Sequence, residues 1–417
     1  MHERWPQRVA PDGRKMNMTI ALKSASAGSR ALVYVSLAAV IEGFDLQAAG
    51  IAAPKIGPAF HMTPQQMGLF FSAATFGLMF GALVGGYTAD RWGRRAGLVI
   101  ALAAFGVASI ATIFSTSVEM LIALRFLTGV GLGGALPNLV SIASEAVGPE
   151  RKGRAVAIMY AGMPLGAAVA SLVALLDLHG GDWRSIFLVG GILPLLLVPF
   201  IYAGLPPLKT VASTSERKTP WTEVFRPDAM VTTVLLWSAF FLGLMVVYLL
   251  MNWLPQLLVG QGFSRSEASL ALILYSLGGT VGSLIGGRVL DGSQRVVAIG
   301  ASFAFVAAAL AMLGLLPPAL ATMLVTVTLV GVGVLCVQSI LYGIAPQCYP
   351  SEIRGTGVGV VVAVGRLGSM AGPLLAGVLV AQGSTPADVM LVLVPIILAC
   401  GLGTLALVAR RFRPALA

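Results

Sequence analysis

The sequence predicts an all-α membrane protein, with twelve transmembrane helices in two pseudo-symmetric six-helix bundles. Three observations lead there. Of 417 residues, 57% are apolar and only 11% are Asp, Glu, Lys or Arg, less than half the roughly 25% charge of an ordinary soluble domain. Runs of about 20 mostly apolar residues, each enough to cross a bilayer, follow one another twelve times, and mean hydropathy is +0.90. Landmarks of the first six runs also return 201 residues later among the last six. So few charges cannot cover a soluble chain of this length, which excludes a cytoplasmic enzyme and a secreted globular domain.

Residues 1–30 are polar and basic without an apolar centre, so they read as a disordered basic cytoplasmic tail and not as a cleaved signal peptide; Met16 and Met18 leave a later start open. Six spans follow near 31–53, 66–89, 96–115, 119–143, 155–177 and 185–204, making an N-terminal bundle over 31–204. Pro206, Pro207, Glu216, Arg217, Lys218 and Pro220 mark a cytoplasmic linker over 205–229. Spans near 230–254, 267–290, 296–316, 320–345, 356–380 and 388–409 make a C-terminal bundle over 230–409, before a short tail at 410–417.

Net charge is +10. Of the 27 Lys and Arg, 22 fall in the tails, the linker and the loops on one side, and three (Lys55, Arg184, Arg265) on the other. Positive charge collects on the cytoplasmic side, so both termini are expected inside a bacterial inner membrane. The basic residues set orientation and do not imply nucleic acid. Cys336, Cys348 and Cys400 have no metal or disulfide spacing. No metal or cofactor is implied, and a monomer in the lipid bilayer is expected.

The repeat supplies the architecture. Pro54 and Pro255 are read as ending spans 1 and 7; Thr63/Gln66 and Ser264/Glu267 have capping-box spacing ahead of spans 2 and 8. Gly85-Gly86 with Asp90 matches Gly286-Gly287 with Asp291, and Pro149 matches Pro350, each pair 201 apart. An offset holding six spans keeps the halves parallel, and parallel halves place a substrate site between them near the midplane.

Charges inside spans are costly and point to function. Glu42 and Asp45 are three apart on span 1 and share a face. Asp45 and Arg125 of span 4 both lie about 10–12 Å from the outer ends of their spans, at about 1.5 Å per residue. They form a candidate pair, either locking the two spans or, with the extra carboxylate at Glu42, coupling protons. Arg366 of span 11 has no carboxylate within a turn, so it needs an acidic partner on another helix or an anionic ligand; its guanidinium would hold a substrate carboxylate, with Arg125 the competing anchor. Ring contacts and polar groups for an aromatic ligand are available from Trp237, Phe240, Phe241, Tyr248, Gln338, Tyr342, Tyr160 and Tyr275, while Trp253 reads as an interface anchor. Gly129, Gly131, Gly133 and Gly134 suit close helix packing, and Asn138 beside Pro137 reads either as facing the cavity or not.

Residues 86–95, Gly-Tyr-Thr-Ala-Asp-Arg-Trp-Gly-Arg-Arg, resemble the signature loop of the major facilitator superfamily, and Arg125-x3-Gly129-x-Gly131-x-Gly133 resembles its span-4 motif; in the second half Asp291-Gly-Ser-Gln-Arg295 keeps only part of the loop. Glu42-Gly-Phe-Asp45-Leu-Gln47 resembles span 1 of the aromatic acid:proton symporters, most of which have Asp at the position of Glu42. Its extension to Ala53, with Thr128–Asn138 and Ser144-Glu145-Ala146, is most similar to transporters of 3-(3-hydroxyphenyl)propionate. The resemblance implies the major facilitator fold, alternating access, and import of a small aromatic carboxylate with protons. It implies that Asp45, Arg125, Glu145, Arg354 and Arg366 are needed for transport. It further implies that Asp90, Arg91, Arg94, Arg95, Glu145 and Arg354 form a cytoplasmic gate. Glu42, Asp45 and Arg125 are the candidates for proton coupling; Arg366, Arg125, Asp45, Gln338, Tyr342 and Phe241 are those for substrate. Rivals are an importer of another aromatic acid such as a hydroxybenzoate and a proton antiporter, although Gly162-Met-Pro-Leu-Gly166 lacks the exporters' Gly-Pro-x-x-Gly-Gly. A transporter-like sensor would carry a signalling domain, and an intramembrane enzyme would need a nucleophile and base within the spans.

Overall fold

The computed structural model describes residues 13–147, 152–176, 182–205, 227–291, 294–349 and 354–411. Among them twelve α-helices run in order: α1 Gly13–Ala59, α2 Pro64–Trp92, α3 Arg94–Thr112, α4 Val118–Glu145, α5 Lys152–Leu175, α6 Arg184–Gly204, α7 Pro227–Gly260, α8 Arg265–Asp291, α9 Arg295–Leu315, α10 Leu320–Ile344, α11 Arg354–Ala381 and α12 Pro386–Arg411. Each contains a stretch long and apolar enough to cross a membrane. The expected capping boxes form, with Gln66 N donating to Thr63 Oγ1 (3.2 Å) and Glu267 N to Ser264 Oγ (3.2 Å). Much of the linker, the ends of both tails and part of the loops around Pro149 and Pro350 lie outside the described residues.

Two expectations about element ends change. The segment read as disordered up to residue 30 is helical from Gly13; Lys15, Met16, Ala21, Leu22 and Lys23 are good helix formers, and extending an existing helix requires no new nucleus. Pro54 and Pro255 do not end α1 and α7, which continue to Ala59 and Gly260. Proline is tolerated inside a membrane helix where a neighbour satisfies the carbonyl it frees. Pro255 frees the carbonyl of Met251, four residues back, and Gln47 Nε2 of α1 donates to that same oxygen at 3.0 Å.

The internal repeat is visible in the packing. α2 lies on α4 as α8 lies on α10, α1 on α5 as α7 on α11, and α3 on α6 as α9 on α12. The α2–α4 contact is a zipper of small residues, because lipid gives apolar helices no solvent-driven reason to associate and close backbone approach must supply the attraction. A Cβ at Gly77, Gly81 or Gly85 would strike the backbone of Phe126, Val130 or Gly134; Gly278, Gly282 and Gly286, each 201 residues on, lie equally close to Thr328, Val332 and Cys336. Gly129 and Gly133 complete the α4 side against Ala74 and Leu78, and Gly131 meets Phe105 of α3. Asn138 turns inward: it is buried, and Nδ2 donates to Gly134 O at 2.9 Å.

The two bundles meet through α1·α7, α2·α11 and α5·α8. Hydrogen bonds crossing between them among the described residues are Gln47 to Met251 O and Ser72 Oγ to Met370 O (2.8 Å). Both lie toward the ends of the helices joined by the 60–63, 261–264 and 382–385 turns, where Gly68 also rests on Pro373 and Gly377 on Pro64. Trp253, expected as a lipid-interface anchor, is instead 2% exposed and meets Phe71 edge-on at 5.5 Å. Its indole N–H had to find an acceptor, and Pro373 O of α11, in the same bundle, supplies one at 3.0 Å.

Candidate functional site

Midway along the helices the structure gathers the charges that the sequence scattered. Asp45 and Arg125 pair, with Arg125 Nη1 to Asp45 Oδ2 at 3.2 Å and side chains 0% and 2% exposed. Ser109 Oγ of α3 lies 3.2 Å from Asp45 Oδ1 and 3.1 Å from Phe187 O of α6; its one proton serves one acceptor at a time. The guanidinium is stacked between Phe70 (6.0 Å) and Phe187 (5.7 Å). The pair is therefore sealed inside the N-terminal bundle and ties α1 to α4. Ser109, Phe70 and Phe187 were not singled out from sequence; a lone serine and two phenylalanines in apolar runs give no signal of their own.

Glu42 is one turn nearer the start of α1, 2% exposed, and its Oε2 has no hydrogen-bond partner. It lies within electrostatic reach of both Asp45 and Arg366. Arg366, half-buried on α11, donates from Nη1 to Tyr248 Oη of α7 at 2.7 Å. Tyr160 of α5 and Tyr342 of α10 are 41% and 38% exposed although they sit beside this group, and Tyr160 is within reach of Glu42, Arg366, Tyr248 and Tyr342. The ring of Tyr342 is held edge-on by Phe240 at 5.1 Å. One carboxylate, one guanidinium and three phenol groups thus converge from α1 and α5 of one bundle and α7, α10 and α11 of the other. Gln338, one turn from Tyr342, is partly exposed; the Phe241 carbonyl is where Gly368 lets α11 press onto α7. Tyr275 is elsewhere, buried with its hydroxyl unbonded.

The expected gate residues divide. Arg94 pairs with Glu145 at the end of α4. Arg95 donates to Leu205 O (2.9 Å) and Tyr202 O (3.2 Å) at the end of α6, with Tyr202's ring 4.8 Å below it; cations suit a helix C-terminus. Arg91 donates to Tyr87 Oη within α2 at 3.1 Å. These bonds all stay inside the N-terminal bundle. The side chains of Asp90 and Arg354 lie outside the described residues.

Two parallel six-helix bundles around a polar midplane cluster define a membrane carrier. The chain belongs to the Major Facilitator Superfamily, which it matches over residues 35–264 and 257–416. It is similar to the 3-(3-hydroxy-phenyl)propionate transporter of Escherichia coli (strain K12), 43% identical over 93% of this chain and 97% of that one. It is also similar to the gallate transporter of Pseudomonas putida, at 31% over 84% and 85%. The solved structure of a D-xylose-proton symporter shares the fold at a TM-score of 0.73, with 15% identity over 92% of this chain and 97% of that one. The protein is therefore a multi-pass membrane transporter and not an enzyme.

Proposed function

We propose that this transporter imports an aromatic carboxylate together with protons by alternating access. The proposed substrate is 3-(3-hydroxyphenyl)propionate or a closely related hydroxylated phenylpropionate. We place it in a bacterial inner membrane with both termini cytoplasmic, on the Lys and Arg distribution. The observation that carries the reading is Arg366: a half-buried guanidinium, without a carboxylate in ion-pair contact among the described residues, ringed by three tyrosines. It offers charge for the carboxylate and aromatic walls for the ring.

Coupling follows from Glu42. It is the buried carboxylate nearest in effect to Arg366 and stands on the other bundle. When the site is empty, Glu42 serves as counter-charge to Arg366 across the interface. A substrate carboxylate arriving at Arg366 puts two negative charges beside one positive one, and like charges in a desolvated site favour taking up a proton. Glu42 is the group placed to take it. The loaded site then carries the same net charge as the empty one, so the bundles can rock without moving an unpaired charge through a low-dielectric interior. Asp45 and Arg125 hold α1 in register on α4 beside this exchange, and Asp45 is the second carboxylate through which protons would couple. With the termini inside, the end at which hydrogen bonds join the two bundles faces outward. The Arg94–Glu145 and Arg95–α6 bonds then brace the N-terminal bundle, leaving Asp90 and Arg354 for the cytoplasmic gate.

The test is uptake of labelled 3-(3-hydroxyphenyl)propionate into proteoliposomes with and without an inward proton gradient. Hydroxybenzoate is offered in parallel. Gradient-driven accumulation is expected for the phenylpropionate, and uptake of hydroxybenzoate alone would reassign the substrate. Accumulation driven only by an outward gradient would make it an antiporter and overturn the reading.

A further inference from the structure

We infer that Tyr248 binds the substrate carboxylate directly, donating its hydroxyl proton beside Arg366, so that the anion is held by a two-residue cradle of one guanidinium and one phenol. This rests on the transport reading above and extends it to a residue that packing on α7 alone does not explain.

The direction of one hydrogen bond carries the argument. Arg366 Nη1 and Tyr248 Oη are 2.7 Å apart. A guanidinium has five N–H donors and no acceptor, so it must be the donor, and the phenol oxygen must accept. The hydroxyl has a single proton, and that proton is not used in this contact. Among the described residues no acceptor takes it either: the Tyr248 hydroxyl is bonded only to Arg366. Tyr248 is 8% exposed, so water has little access to the group, and a buried donor without an acceptor is unfavourable. An anion seated on Arg366 removes that cost. Donation from a cation also polarises the O–H bond, making it a stronger donor toward a second, negative partner.

The surroundings fit an anionic ligand with a flat apolar body. Glu42, the neighbouring carboxylate, stands in the opposite bundle and does not bond to Tyr248. Tyr160 and Tyr342, both partly exposed, flank the same group, and Phe240 fixes the Tyr342 ring. A carboxylate has two oxygens, so one can bridge to Arg366 while the other takes the Tyr248 proton.

A purely positioning role, in which Tyr248 only steers Arg366, makes a different prediction, and a double-mutant cycle separates the two. Transport kinetics would be measured for the parent, Tyr248→Phe, Arg366→Gln and the double variant, with thermal stability of each in detergent recorded to check folding. We expect Tyr248→Phe to raise KM by about tenfold or more with kcat little changed, as loss of a hydrogen bond to a charged group does. We also expect Tyr248→Phe still to raise KM severalfold in the Arg366→Gln background. If the second substitution has no effect there, Tyr248 works only through Arg366 and the inference fails. Should Arg366→Gln leave too little transport to analyse, displacement of bound substrate by 3-phenylpropionate and by its neutral amide is compared in Tyr248→Phe and parent. An unchanged preference for the acid over the amide would equally overturn it. Failure of the parent to transport any aromatic acid would instead count against the proposed function.

Discussion

A guanidinium midway through a membrane persists only with a partner, and Arg366 has a phenol instead of a carboxylate. Arg366→Lys keeps the charge but loses the planar fork. We expect it to raise KM by about tenfold or more while leaving stability unchanged, checked by uptake kinetics and a melting curve. Asp45 and Arg125 have the opposite character, because both are sealed. Removing one partner leaves a buried charge uncompensated, at a cost of about 3–5 kcal/mol. Arg125→Leu should therefore lower thermal stability markedly, and Arg125→Leu with Asp45→Asn should recover part of it. An equal loss in the single and double variants would mean that the pair is not what holds α1 on α4. For Glu42→Gln we expect gradient-driven accumulation to be lost while exchange of substrate across the membrane without a gradient survives, since a side chain that cannot ionise cannot carry the proton step.

Helix packing makes equally local claims. A Cβ at Gly81 would strike Val130 O, whereas at Gly86, one turn and a residue further along α2, it would meet nothing within 4 Å. Gly81→Ala should destabilise by about 1–3 kcal/mol through overpacking, and Gly86→Ala should be silent in the same melting assay. Pro255 has a role beyond bending. By lacking an N–H it leaves Met251 O to Gln47, so α7 contributes to the seal between the bundles through a bond it cannot make to itself. Pro255→Ala would let α7 satisfy Met251 O internally. The seal should then loosen by a factor of about 3 to 10, the worth of one hydrogen bond. The readout is faster labelling, by a membrane-impermeant thiol reagent, of a cysteine placed at the buried Asn252.

Across the two bundles, the seal is built where α2 meets α11 and α1 meets α7. If transport requires that seal to open, tying it shut must stop transport. Gly377 rests on the backbone of Pro64, so a disulfide between Pro64→Cys and Gly377→Cys should abolish uptake under oxidising conditions and restore it on reduction. Continued transport by the cross-linked protein would rule out rocking about this contact. The three native cysteines are buried and give a quiet background.

Much of this was legible from residues in order. Twelve spans follow from hydropathy, because each crossing needs its own apolar length, and two parallel halves follow from an offset of 201 that recurs in the α2–α4 and α8–α10 glycines. The Asp45–Arg125 pair follows from matched depth, since helix rise is fixed. Other features needed the folded chain. That Arg125 is sealed while Arg366 opens on the tyrosines depends on which face each helix turns toward its neighbours, and twelve helices apolar nearly all round give hydrophobic periodicity nothing to decide that with. The continuation of α7 through Pro255 depended on the Gln47 amide N–H, 204 residues from Met251, finding the freed carbonyl. Trp253 gives the same lesson. Composition places a tryptophan near a membrane surface, but only the packing of α7 on α11 gives its N–H a carbonyl to bond, and only the approach of α2 from the other bundle sets Phe71 against its ring.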